Sequence, residues 1–300
     1  MRLTPFDALA CPLDALPLRR EGRRWCCEAG HSFDVAREGH LHLLPVQHKR
    51  SRDPGDSKAM VAARERFLNA GHYQGIADAI AEAVLAGASP ERPLACLDAG
   101  CGEGYYLRRL AASAGDRNVA LSLMGLDISK WAVLRGARQA RALHRDAQAN
   151  ATADATAKRE GATWVVASNA KLPVQDAALD RVLCLFGFPV YAEFARVLKP
   201  GGRLLLAEVG PDHLRELREI IYPSVKEATE REPVRHPALT LEYETSVRAT
   251  LSLETPEAIA DLLTMTPHLY RASAEGRARA EALTSLSVTL DVRLTTLGRR

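Results

Sequence analysis

The chain has 300 residues, 47% of them hydrophobic and 26% charged, with a formal net charge of +3. That length can bury a full core as one large domain plus an appendage, and the near-neutral balance does not by itself suggest a nucleic-acid partner. No apolar stretch approaches the roughly 20 residues needed to span a bilayer, no charged N-terminal segment leads into an apolar signal core, and the six cysteines lack the pattern of a secreted disulfide framework; no membrane association and a cytoplasmic location are expected.

Residues 1–45 read as a small irregular module. Residues 46–90 read as a basic linker followed by helices. A helix with Met60, Ala63 and Phe67 on one face should start at Asp56 or Ser57, either of which suits an N-cap, and stop at Gly71. Ile76, Ile80 and Val84 mark a second, ending near Gly87. Over 91–300, strand candidates at 94–98, 120–127, 163–167, 179–186 and 203–209 alternate with helices near 104–113, 129–145, 191–198 and 211–221. That order implies an α/β fold with a doubly wound, mostly parallel sheet. Cys96 and Cys184 fall inside these strands and read as core. Residues 146–160 read as a surface loop or helix extension, and the arginines at 135, 138, 141 and 145 as a solvated helix face. Leu286, Val288, Leu290, Val292 and Leu294 alternate with polar residues, so this strand is expected to close the sheet as an antiparallel edge.

The most informative segment is Leu97-Asp98-Ala99-Gly100-Cys101-Gly102-Glu103-Gly104. An apolar strand ends in an acid, and Gly100, Gly102 and Gly104 occupy the turn into a helix whose unpaired N–H groups suit polar or anionic ligand atoms. The spacing is G-x-G-x-G, not the G-x-G-x-x-G of a dinucleotide site, which disfavours NAD. A second apolar run ends in Asp127, where a carboxylate can accept from both ribose hydroxyls. Together the two motifs resemble the S-adenosylmethionine site of Rossmann-like methyltransferases. Ligands of such sheets bind at the carboxyl ends of strands, so Asp98, Asp127 and the segment after Val166 share one edge, and the resemblance to methyltransferases implies cofactor contacts from Ser168, Asn169 and Leu172 in that segment.

Further motifs narrow the resemblance. Cys11-Pro12-Leu13, the His31 to Asp34 turn, Leu43 through Ser57, Ala70-Gly71-His72-Tyr73, Asp98 to Tyr106, Gly125-Leu126-Asp127, Lys199-Pro200-Gly201-Gly202, Gly210-Pro211, His213-Leu214 and Met265-Thr266-Pro267 are similar to those of the bacterial 23S ribosomal RNA guanine-N1 methyltransferases. The resemblance covers most of the chain outside 146–160 and much of 225–260. It implies methyl transfer from S-adenosylmethionine to N1 of a guanine in a 23S rRNA hairpin, a class I methyltransferase domain, and a zinc-ribbon-like N-terminal module that helps hold RNA. It also implies cofactor contacts from Tyr73 and His213, and it allows a homodimer.

The chain departs from the family at the metal ligands, because Asp14 stands where the second cysteine of the C-x-x-C pair is expected. Cys11, Asp14, Cys27 and His31 still offer a tetrahedral Zn2+ site, since carboxylate oxygen is an acceptable ligand. Adjacent Cys26 is the alternative fourth ligand. A second departure is Cys184-Leu185-Phe186-Gly187-Phe188-Pro189, where the family tends to carry a small-Pro-Cys segment. Phe186 and Phe188 read either as core or as rings that stack on an extruded base, with core favoured.

Lys49, Arg50 and Arg52 suit backbone phosphate. Guanine N1 carries a proton when neutral, so a nearby base is expected, with Asp53 and Asp56 as first candidates and His213 as another. Two other readings are a small-molecule methyltransferase on the same scaffold and a non-catalytic S-adenosylmethionine-binding protein.

Overall fold

The structure, a computed structural model, describes residues 3–48, 51–149, 161–225, 234 and 236–300. Five short strands open the chain: β1 (Leu3–Pro5), β2 (Arg19–Glu21), β3 (Arg24–Cys26), β4 (Ser32–Asp34) and β5 (His40–His42). Helices α1 (Lys58–Asn69) and α2 (Gln74–Leu85) follow. The alternating part comprises β6 (Leu94–Ala99), α3 (Tyr105–Asp116), β7 (Leu121–Asp127), α4 (Lys130–Ala149), β8 (Thr163–Val166), β9 (Leu179–Leu185), α5 (Tyr191–Val197), β10 (Leu198–Val209) and α6 (Arg215–Ile221). The chain ends with β11 (Leu239–Leu253), α7 (Pro256–Met265), α8 (His268–Arg271), α9 (Ala274–Glu281) and β12 (Leu286–Arg299).

The large sheet runs β11-β12-β10-β9-β6-β7-β8-β5. Strands β5 to β10 within it are parallel, whereas β12 pairs antiparallel with both β10 and β11. The parallel strands are buried on both faces, which is why they read as nearly continuous apolar runs. Alternate residues feed two cores: Cys96, Leu121 and Leu123 pack with Phe67, Ile76 and Ile80 on one face. Leu97, Met124 and Leu126 pack with Leu9, Leu43 and Phe194 on the other. Each such Leu or Ile contributes about 1.5–3 kcal/mol by leaving water.

Two sequence expectations change. The strand 286–294 is not the edge: β12 lies between β10 and β11, and β11 is the edge. β11 carries only a weak apolar alternation: Leu239 and Leu253 are buried at its ends and Val247 and Leu251 half-buried against the core, while most of its other residues are exposed. The N-terminal segment, expected to be irregular, folds β2, β3 and β4 into an antiparallel ribbon. It also lends β1 and β5 to the large sheet, β1 beside the start of β7, where β8 does not reach, and β5 against β8.

Helix signals match the expectation more closely. Ser57 caps α1, its hydroxyl accepting from the Met60 N–H at 3.3 Å. Among the described residues, no helix is long and apolar enough to cross a membrane.

Candidate active site and metal site

Strand β6 sits between β7 and β9, so successive strands depart from it in opposite directions and open a crevice at its carboxyl end. Asp98 closes β6 within that crevice, 0% exposed, with neither carboxylate oxygen hydrogen-bonded. Burial, reinforced by the negative charge of Asp127 and Glu103, pushes its carboxyl up to about 8. A buried carboxyl without a partner is expensive, and its cost is relieved by a cationic ligand.

Main-chain bonds from Gly100 and Cys101 to the Leu126 carbonyl, at 2.8 and 2.9 Å, stitch the glycine loop to β7. Asp127 accepts from the N–H of Gly102 at 2.9 Å and of Ser129 at 2.7 Å. Burial raises its pKa and these two bonds oppose the rise. They fix both oxygens while leaving each carboxylate oxygen capacity for a second donor, as a ribose diol requires. Gly104 begins α3 with φ of +82°, and a Cβ there would stand 2.2 Å from Trp164. Glu103 is buried beside Arg108, 3.6 Å away, and burial raises its pKa against that cation's pull.

The segment after β8 completes this edge. Ala167 N–H donates to the Asp127 carbonyl at 3.1 Å. Asn169 donates to the Ala99 carbonyl at 3.3 Å and keeps its own buried carbonyl oxygen unpaired. Ser168 accepts from the Ala170 N–H at 3.2 Å, and Leu172 is buried with its N–H on Glu193 at 2.7 Å.

Tyr73 and His213, distant in sequence, meet with Tyr73 Oη 3.3 Å from His213 Nε2. His213 Nδ1 accepts from the Asp291 N–H at 3.2 Å. Burial lowers the imidazole to about 4, so it is neutral at pH 7 with its proton on Nε2, directed at Tyr73. In this tautomer neither ring nitrogen has a free lone pair for a guanine proton.

Asp53 and Asp56 lie away from this pair, in the loop packed over the end of β7: Asp53 is ion-paired with Lys130 and Asp56 with Arg64. The Ser129 hydroxyl donates to the Asp56 carbonyl at 2.7 Å, fastening the loop beside Asp127. Arg64 also donates to the Met265 carbonyl at 3.0 Å. Burial opposes its charge, and Asp56 above all, then Glu103 and Asp127, raise its pKa. Arg64 was not singled out in the sequence, because its setting depends on a residue 201 positions away. Lys49 and Arg50 lie outside the described residues.

At the end of β9, Phe186 is 38% and Phe188 91% exposed, which overturns the core reading of these rings. β9 ends at Leu185, one residue before the expected strand end, so Phe186 falls outside the stretch that the sheet buries on both faces.

A second cluster lies near the ribbon. Cys11 and Asp14 come from the turn after β1, Cys27 and His31 from the turn between β3 and β4, and their ligand atoms lie within 4.8 Å of one another. His31 Nδ1 stands 2.8 Å from Asp14 Oδ2, 3.4 Å from Cys27 Sγ and 3.5 Å from Cys11 Sγ, and Cys27 Sγ lies 3.3 Å from Asp14 Oδ2. Bonds of about 2.0–2.3 Å to a central zinc give tetrahedral edges of roughly 3.3–3.8 Å, which the three separations involving sulfur match. The shorter His31–Asp14 contact is a hydrogen bond whose partners would part to ligate, and two thiolates, an imidazole and a carboxylate are a donor set that suits the ion. Cys26 bonds instead to the Ser32 hydroxyl at 3.6 Å and stands outside the cluster, so Asp14 is the fourth candidate ligand.

A doubly wound sheet with paired carboxylates at adjacent strand tips and a glycine loop between them defines a class I S-adenosylmethionine-dependent methyltransferase. Residues 97–206 match the family described as "Methyltransferase domain", and residues 9–52 match "RlmA, N-terminal", a zinc ribbon. The 23S rRNA (guanine(748)-N(1))-methyltransferase of Streptomyces fradiae is 36% identical over 217 residues, covering 72% of this chain and 69% of that protein. A Micromonospora griseorubida protein, provisionally named a 23S rRNA (guanine-N(1)-)-methyltransferase, is 37% identical, covering 70% of this chain and 68% of its own. YxjB of Bacillus subtilis (strain 168), named provisionally in the same way, is 29% identical over 298 residues and 97% of both chains. The chain belongs to the family of 23S rRNA guanine-N1 methyltransferases.

Proposed function

We propose that the protein transfers a methyl group from S-adenosylmethionine to N1 of a guanine in a 23S rRNA hairpin. The observation that carries the cofactor half is the arrangement of Asp98 and Asp127 around the glycine loop; family membership carries the acceptor. When bound, S-adenosylmethionine supplies an electrophilic methyl carbon on a sulfonium that leaves as a neutral thioether.

In this reading Asp127 accepts from the ribose hydroxyls, and Gly100, Gly102 and Gly104 let the amino-acid tail approach the backbone. Asp98 faces the cofactor's positive charge, with Glu103 adding to the local negative potential. Ser168, Asn169 and Leu172 line the adenine side, and Tyr73 and His213 form a neutral wall. The guanine must lie in line with the methyl carbon at about 3–3.5 Å, with water excluded.

Loss of the N1 proton needs an acceptor. Asp53 and Asp56 serve in this proposal when RNA draws Lys130 or Arg64 away, since each carboxylate is otherwise held by its cation. Cys11, Asp14, Cys27 and His31 hold zinc and stiffen the ribbon against RNA; the metal takes no part in the transfer. A homodimer remains part of the proposal, and sedimentation of the free protein tests it.

The decisive experiment incubates the protein with labelled S-adenosylmethionine and unmodified 23S rRNA, then digests the RNA to nucleosides. Label in N1-methylguanosine is expected. Unlabelled RNA beside a methylated metabolite overturns the proposal.

A further inference from the structure

Beyond β9 the chain turns through Phe186-Gly187-Phe188-Pro189. Phe186 adopts φ of +55°, a left-handed conformation that is costly for a bulky side chain, and its N–H is held by the Ala207 carbonyl at 2.8 Å. Its ring lies 6.2 Å from Tyr106, 6.3 Å from Tyr73 and 6.5 Å from His213, measured between centroids. The turn abuts the cofactor crevice: the Cβ direction of Gly187 points to within 3.9 Å of the Ala99 carbonyl, next to Asp98. Two residues from this three-sided aromatic surround, Phe188 is almost wholly in water. Backbone strain and an exposed phenyl thus coincide where the acceptor must enter.

We propose that Phe186 and Phe188 form a stacking ladder for unpaired RNA bases, the target purine lying on Phe186 and a flanking base on Phe188. This deepens the RNA reading above and rests on it. Residues 184–190 carry no charge, so this turn offers no cationic side chain to phosphate. Aromatic faces are the usual supports of bases splayed from a helix, and stacking tolerates any base. A small metabolite enclosed near the methyl carbon has no use for a ring as exposed as Phe188. A polymer whose neighbouring base projects from the pocket does.

The test measures methyl transfer to protein-free 23S rRNA, with S-adenosylmethionine affinity by calorimetry as a parallel readout. Phe188→Ala should raise KM for RNA roughly tenfold with kcat little changed, and Phe188→Trp should restore it. Phe186→Asn keeps a residue type that tolerates left-handed backbone while removing the ring. It should lower kcat at least about tenfold at unchanged cofactor affinity, whereas Phe186→Tyr stays active. Wild-type-like kinetics in Phe188→Ala and Phe186→Asn sink the ladder alone. So does a Phe188→Ala protein that loses self-association while methylating RNA normally, because the ring then serves a second copy of the chain. A wild-type protein that labels no RNA sinks the underlying reading, and the ladder with it.

Discussion

Replacing Asp98 with Asn removes one titrating group from the floor of the crevice and almost nothing else. Its pKa is 3.8 in an unfolded chain and about 8 in the folded protein. The fold therefore holds this proton more tightly than the unfolded chain does. The stability it contributes is complete below about pH 4 and is lost as pH rises through the native pKa near 8. One unit of pKa corresponds to about 1.4 kcal/mol, so between pH 5 and 8 the cofactor-free protein should lose roughly 3–4 kcal/mol through Asp98. Denaturant unfolding at several pH values measures this slope, and Asp98→Asn should flatten it. Cofactor binding should run the other way: a cationic ligand favours the carboxylate, so wild-type affinity rises with pH up to about 8 and binding releases a proton. Calorimetry in buffers of different ionisation enthalpy detects that release. Parallel slopes in wild type and Asp98→Asn, or binding without proton release below pH 7, would refute the account of a strained, proton-bearing carboxyl.

Asp127→Ala removes the acceptor for both the Gly102 and Ser129 amides, and should weaken S-adenosylmethionine binding by about 10–100-fold in calorimetry, given roughly 1.5–3 kcal/mol for a hydrogen bond to a charged group. Gly104→Ala forces a methyl into Trp164 at a left-handed position and should lower stability by more than about 2 kcal/mol in denaturant unfolding; an unchanged midpoint contradicts the packing described. Metal analysis should find one zinc per chain, lost in Cys11→Ser, and Asp14→Cys should bind zinc more tightly in a chelator competition because thiolate is the softer ligand. A zinc-free preparation with full stability rules out the metal assignment.

The parallel strands were legible because burial on both faces leaves runs such as Leu94-Ala95-Cys96-Leu97 with little polar interruption. The strands that escaped had no such signature. β1 and β5 span three residues each, too few for any period, and β11 turns most of its side chains to water, with only Val247, Leu251 and its buried end residues Leu239 and Leu253 reaching the core. On the arginine-rich helix Arg135, Arg138 and Arg141 are exposed, as a solvated face requires, and ion pairs also tie the helix to its neighbours: Arg135 clasps Glu65 at 2.6 and 2.7 Å, and Arg138 pairs with Glu38 at 3.3 Å. Composition signalled Asp98 and Asp127 through their neighbours in the chain. Arg64 had no such neighbours, and its importance comes only from what the fold brings beside it. Phe186 misled for a related reason, since an apolar residue after an apolar strand looks buried until the turn is known.

Trp164 has a consequence for how this protein can change over generations. Methyl groups built on Gly104, Gly125 and Gly136 would each fall within 3 Å of its indole, so three elements have been hollowed around one ring. The ring fills the space between the glycine loop at the start of α3, strand β7 and helix α4. A smaller residue at 164 would leave that space unfilled, and a larger one at any of the three glycines would collide with the ring. Lineages of this enzyme should therefore exchange these four positions as a set or leave them untouched.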